Sequence, residues 1–168
     1  MPPLRASPTF ARFSLPGIPR DWMADVVNVF LIRHPARVVA SFGAKYDRPT
    51  LADIGFVQQA ELFNHCIALG QSPLVIDSTD IRRNPLKILR KLCSEIGLDW
   101  TENMLRWPPG GHPDDGIWAA HWYAAVHDST GFAPPEGKLP VLDGAMADLA
   151  AQAMPHYAAL EKHKITLE

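Results

Sequence analysis

Cysteine is scarce in this chain: Cys66 and Cys93 are its two thiols in 168 residues. Both fall at apolar positions of helical patterns, which argues against a disulfide framework and for reduced core thiols in a cytoplasmic protein. Long apolar runs are missing too, and none approaches the roughly 20 residues of a membrane span. Neither sign of charge dominates, since 16 basic and 18 acidic side chains leave a net −2. Nothing global therefore recruits a nucleic acid, and any anion site must be a local arrangement of a few groups. The amino terminus lacks the uninterrupted apolar stretch of a signal peptide. Arg5, Arg12 and Arg20, with no acid before Asp21, hint at a transit peptide, but five prolines in the same stretch oppose its amphipathic helix.

What is present is an ordinary globular balance, 47% hydrophobic and 20% charged, in a chain long enough for one domain with a real core. Residues 1–20 read as an irregular Pro/Arg-rich leader and 21–168 as the domain. Asp25–Ile32 (DVVNVFLI) is nearly continuously apolar and β-branched, which suits a parallel strand buried on both faces. It stops at Arg33-His34-Pro35, and Pro35 predicts the first residue of a helix running to Tyr46. Leu51–Leu69 predicts a second helix with Phe56, Ala60, Phe63 and Ile67 on one face, ended by a left-handed Gly70. Pro73–Asp77 (PLVID) is a second short buried strand. Asn84 and Pro85 open a helix carrying Leu86, Leu89, Cys93 and Ile96 inward, and Gly97 stops it. Residues 107–116 (WPPGGHPDDG) are loop, 117–127 an aromatic-rich helix, and 129–139 loop again. Asp143 caps a last helix with Met146, Leu149, Ala153 and Tyr157 inward, which Pro155 must kink or interrupt. Strands alternating with helical segments predict an α/β domain with a parallel sheet.

In open parallel sheets, ligands gather at the carboxyl ends of strands. Arg33 stands at that end of the first strand, and Ser41 follows about two turns into the next helix. A phosphate there would meet the guanidinium fork, the helix-start N–H groups and, if the ligand lies along the helix, the Ser41 hydroxyl.

The run Phe30-Leu31-Ile32-Arg33-His34-Pro35-Ala36-Arg37-Val38-Val39-Ala40-Ser41-Phe42 resembles the motif with which sulfotransferases hold the 3′-phosphate of 3′-phosphoadenosine-5′-phosphosulfate (PAPS). Carried over, that resemblance makes Arg33 and Ser41 the phosphate ligands. Val75-Ile76-Asp77-Ser78-Thr79-Asp80-Ile81, Asn84-Pro85 and Ile96-Gly97-Leu98 resemble the family's later strand, acidic turn and capped helix, in the same order. Together they cover about Val26 to Trp107. The resemblance implies a P-loop-hydrolase-like parallel sheet flanked by helices. It also implies PAPS as co-substrate, transfer of a sulfuryl group to a hydroxyl or amine, and no requirement for metal.

The chain departs from the family at its start. The opening strand and phosphate-binding loop have no counterpart, no G-x-x-x-x-G-K-[ST] occurs, and Ser7–Arg12 is the only substitute in view. A truncated amino terminus is the expectation. In the family the opening strand is taken to lie between the two strands found here. Its loss would orphan backbone groups at about 1–3 kcal/mol each if buried, unless the neighbours close the gap or another chain, such as a second copy pairing by strand edges, fills it. His34 replaces the family's Asp or Asn. It is expected to cap more poorly, at about 0.5–2 kcal/mol, or, if protonated, to add charge beside the phosphate.

Other constellations carry less. His112, Asp114, Asp115, His121 and His127 lack metal-ligand spacing, since His121 and His127 fall on different helix faces. Trp118, Trp122 and Tyr123 either wall an acceptor pocket or pack the domain. Arg82, Arg83, Lys87, Arg90 and Lys91 read as a solvated helix face, and Asp77 and Asp80 as turn and cap residues. Two further functions stay open: a non-catalytic nucleotide-binding or interaction module, and a P-loop kinase-like phosphotransferase, which the absent Walker lysine disfavours.

Overall fold

The computed structural model describes residues 19–112, 114–117, 119 and 123–167. In chain order its elements are β1 (Val29–Ile32), α1 (Pro35–Gly43), α2 (Phe56–Ala68), β2 (Leu74–Asp77), α3 (Ser78–Arg83), α4 (Pro85–Ile96), α5 (Ala124–His127) and α6 (Gly144–Glu161), with 3₁₀ turns at Asp21–Asp25 and Glu102–Leu105. The chain is thus α/β. It divides into two compact units, one comprising the residues up to Ser78 with Gly137–Thr166, the other Thr79–Glu136. No helix among the described residues is long and apolar enough to cross a membrane.

The first unit is built on the sheet. β1 begins at Val29 rather than Asp25, because the Asn28 amide donates to the Met23 and Val26 carbonyls (2.9 and 3.3 Å) and to Gln71 Oε1 (2.8 Å). Those bonds fold the preceding backbone into a turn and a bend. β1 and β2 pair directly in parallel, from Val29↔Leu74 to Ile32↔Asp77. The gap expected between them is therefore closed. On the far edge of β2, Ile165 donates its N–H to the Val75 carbonyl at 2.8 Å, and Lys164 bridges the same residue in parallel.

Phe30 and Ile32 point into a core with Met23, Phe56, Leu62, Phe63, Cys66, Val75, Ala153, Tyr157 and Leu160. Phe30 and Phe63 meet edge to face at 5.5 Å. Burial pushes the Cys66 thiol up from its ordinary pKa, as expected of an inert core cysteine. α2 starts at Phe56 rather than Leu51. Asp53 accepts from the Thr50 N–H and hydroxyl (2.9 and 2.6 Å), and Gly55 is left-handed at φ 74°, so the intervening residues are turns. Ile67, expected inward, is 48% exposed, and Leu62 and Cys66 take the buried positions. α6 runs unbroken through Pro155. Ala153 before the proline and Tyr157 and Leu160 after it lie in one core; that packing outweighs the roughly 3 kcal/mol an internal proline costs. Asp143 receives the Met146 and Ala147 N–H groups on its backbone carbonyl, without the side-chain cap its identity predicted.

In the second unit, Asn84 Oδ1 accepts the Lys87 N–H at 3.2 Å and Gly97, at φ 72°, closes α4, both as expected. The buried seam of α4 centres on Ile88 and Cys93, whereas Leu86, Leu89 and Ile96 are only half-buried. Arg82 leaves the solvated face assigned to it: its Nη1 pairs with Glu136 at 2.9 Å and its Nε donates to the Pro134 carbonyl at 2.9 Å. The Glu136 side chain is nearly fully buried there, with the Thr79 hydroxyl also donating to it at 3.3 Å. Of the helix expected over 117–127, Ala119 and Ala124–His127 (α5) are helical among the described residues. Trp118, His121 and Trp122, and with them the pocket-wall reading, lie outside the described residues.

Candidate functional site

The corner between β1 and α1 is shaped by two residue faces on one short helix. Pro35 and Val39, four apart, are buried, Val39 against Leu149 and Ala150 of α6. Ser41, two residues beyond Val39 and so about 200° round the helix, is exposed, and Arg37, one turn before Ser41, is half-buried. Arg33 follows directly on Ile32 at the carboxyl end of β1 and is half-buried. Both sequence-predicted ligands thus sit at this corner, Arg33 at its base and Ser41 two turns along its open face.

The helix start differs from expectation in one chemical respect. His34 does cap: its Nδ1 accepts the Ala36 N–H at 3.2 Å. An accepting nitrogen carries no proton, so the cap is incompatible with the protonated, phosphate-facing histidine considered above. The His34 carbonyl takes the N–H groups of Arg37 (2.9 Å) and Val38 (3.2 Å), and Pro35 has none to offer. The opening N–H groups are therefore engaged, and recognition of an anion falls to side chains.

The neighbouring corner, at the end of β2, is closed. Asp77 is 4% exposed and accepts from the Tyr157 hydroxyl at 2.9 Å. The same hydroxyl lies 2.9 Å from Glu161 Oε1. A single phenolic proton serves two carboxylates, and the His34 ring packs 5.6 Å from the tyrosine ring. Burial, then the bonds to Asp77 and Glu161, drive the Tyr157 pKa far above its ordinary value. Asp77 is thus a buried tie between β2 and α6 rather than the turn residue its position predicted. The continuous apolarity of PLVI gave no sign of this; the only available signal was an acid ending an otherwise apolar strand.

In the second unit, His127 Nε2 lies 2.9 Å from Asp115 Oδ2, which also accepts the His112 N–H at 2.8 Å. The backbone bond from His112, then the His127 contact, hold the Asp115 carboxyl below the usual range. These bonds tie His112 and Asp115 to α5. Among the described residues, no cluster of three or more His, Cys, Asp or Glu is arranged to hold a metal ion.

A family model described as "Sulfotransferase domain" matches residues 6–164. Two curated proteins of Arabidopsis thaliana are similar. Branched-chain-amino-acid aminotransferase-like protein 1 is 32% identical over 147 residues, which is 88% of this chain and 26% of that protein. Branched-chain-amino-acid aminotransferase-like protein 2 is 31% identical over 154 residues, 90% of this chain and 27% of that protein. The chain thus spans about a quarter of the length of the curated relatives it matches. No solved structure matches it. The motif at the β1–α1 corner and a family match over nearly the whole length converge, and the chain belongs to the sulfotransferase domain family.

Proposed function

We propose that the β1–α1 corner binds the 3′-phosphate of an adenosine nucleotide, and that with PAPS as donor the domain moves a sulfuryl group to a hydroxyl or amine of a small-molecule acceptor. The observation that carries this reading is Arg33 at the carboxyl end of β1, with Ser41 on the open face of the helix that strand feeds. A guanidinium presents paired donors matched to phosphate oxygens. In the transfer, an acceptor lone pair attacks sulfur and the bond from sulfur to the bridging phosphate oxygen breaks. Adenosine 3′,5′-bisphosphate leaves, and the acceptor's proton passes to solvent or a base. The paired parallel strands and flanking helices are consistent with a P-loop-hydrolase-like sheet across the proposed domain of residues 21–168. A second reading, a nucleotide-binding module that works within a larger assembly, is favoured by one fact: relatives carry the matching stretch as about a quarter of their length.

Calorimetric titration with adenosine 3′,5′-bisphosphate tests the site. Arg33→Ala is expected to weaken binding roughly tenfold to a hundredfold, and Ser41→Ala roughly two- to tenfold. Wild-type affinity in Arg33→Ala would sink the proposal, and a preference for ATP over the bisphosphate would move it to phosphotransfer. Binding without sulfuryl transfer from PAPS to any of a panel of alcohols and amines would leave the module reading.

A further inference from the structure

We infer that Asp143 is a modification site, where the link to Gly144 rearranges through a succinimide to isoaspartate and so offers a substrate to an isoaspartate-repairing O-methyltransferase. The inference is independent of the nucleotide reading above. The sequence contains two Asp–Gly pairs, Asp115-Gly116 and Asp143-Gly144. In such a pair no Cβ shields the amide nitrogen that must reach the aspartate side chain. The structure treats the two pairs differently. Asp115 Oδ2 accepts the His112 N–H at 2.8 Å and lies 2.9 Å from His127 Nε2. Those two bonds, the first above all, keep its carboxyl below the usual range, so the neutral form that can lose its hydroxyl group as water is scarce.

Asp143 has no such restraint. It is exposed, and its side chain makes no capping bond. Gly144 is exposed too and left-handed at φ 47°, and a Cβ built on it would meet nothing within 4 Å. Its N–H is the first of α6 and so has no acceptor within the helix. The Met146 and Ala147 N–H groups reach the Asp143 carbonyl at 3.2 Å each, the long limit of the usual range. Attack by nitrogen therefore needs a rotation about Asp143 that opens one weakly bonded turn. The Gly144 nitrogen bonds to the Asp143 side-chain carbon Cγ, a Cγ–O bond breaks, and the amide proton leaves with that oxygen as water. A water molecule then opens the ring. Opening at the main-chain carbonyl leaves the chain running through the side-chain carbon, with one more methylene in the backbone just ahead of α6. Met146, in the first turn of α6, fills the space that a side chain at Gly43 would need, so the shift is passed to the end of α1.

The test ages the wild-type chain at mildly acidic pH, folded and in denaturant. The chain is then digested, and its peptides are labelled with isoaspartyl O-methyltransferase and radioactive S-adenosylmethionine. In the folded chain the Asp143 peptide is expected to label roughly tenfold or more above the Asp115 peptide, because two bonds must break before Asp115 reacts. In denaturant the two peptides should label alike. Asp143→Glu, whose larger ring closes more slowly, should remove the Asp143 signal while circular dichroism shows the helices kept. If that variant does not fold, Asp143→Ser serves in its place, with a side chain that cannot close the ring. Labelling of Asp115 equal to or above that of Asp143 in the folded chain would overturn the inference. So would labelling of Asp143 in denaturant alone, which would mean that the junction before α6 is closed to the rotation.

Discussion

The two parallel strands end side by side, Ile32 opposite Asp77, and each leads into a helix, yet the two corners are built to opposite ends. After β1 come a half-buried arginine, a capping histidine and a helix whose outer face carries Arg37 and Ser41. After β2 the polar group is turned inward: Asp77 is sealed beneath Tyr157 and joined through it to Glu161. A strand end whose charged residue is half-buried can still meet solvent. One that buries its charge must satisfy it internally, because an unpaired buried carboxylate is costly. The difference shows that a position at the carboxyl edge of a sheet is not sufficient for a site; whichever element closes over that edge decides.

Tyr157→Phe should separate the corners most strongly. It removes the hydroxyl between two carboxylates, and a loss of about 1–3 kcal/mol in stability by denaturant titration is expected. Arg33→Ala, expected to weaken binding, should cost less stability than that. The same tyrosine gives the closed corner a pH signature. Its folded pKa lies above the unfolded value of about 10. Its contribution is therefore fully present below about pH 10 and is lost as pH rises from there toward the folded value. The alkaline decline in melting temperature should be shallower in Tyr157→Phe. A smaller effect is expected at the open corner: His34→Ala should cost about 1 kcal/mol and His34→Asn little or nothing, since asparagine is a better cap. If both substitutions are silent, the bond to the Ala36 N–H contributes nothing.

The smallest effect belongs to the second unit. Because the Asp115 carboxyl is held below its ordinary value of about 3.9, its bonds are intact above that value and are lost as pH falls through the lower folded one. The His112 amide resonance followed by NMR from pH 5 to 2 should move in that window, and should not titrate in Asp115→Asn.

Much of the local structure was legible because its signals act within a few residues. Pro35 at a helix start, Asn84 before Pro85, and the glycines at 70 and 97 each act within a few residues, and the structure keeps them all. The Arg33–Ser41 motif is local too. What failed to show was set by distant partners. The direct pairing of β1 with β2, the burial of Asp77 under a tyrosine 80 residues later, and the Arg82–Glu136 pair across 54 residues leave no periodic trace. Ile67 fell outside the core although Phe56, Ala60 and Phe63 of the same expected face are buried; at the last turn Cys66 takes the inward place. Proline 155 misled because its local penalty is real but smaller than the packing on either side.

One consequence follows from the seat that Ile165 takes beside Val75. With β2 flanked by that residue on its outer side, among the described residues the sheet has a single direction in which it can widen. Leu31 of β1 is 54% exposed there, and the Gln59 side chain donates to its carbonyl at 2.8 Å. Any added strand, whatever molecule supplies it, has to arrive along β1 and displace a glutamine to do so. Accretion onto this fold would then compete with Gln59 for the Leu31 carbonyl.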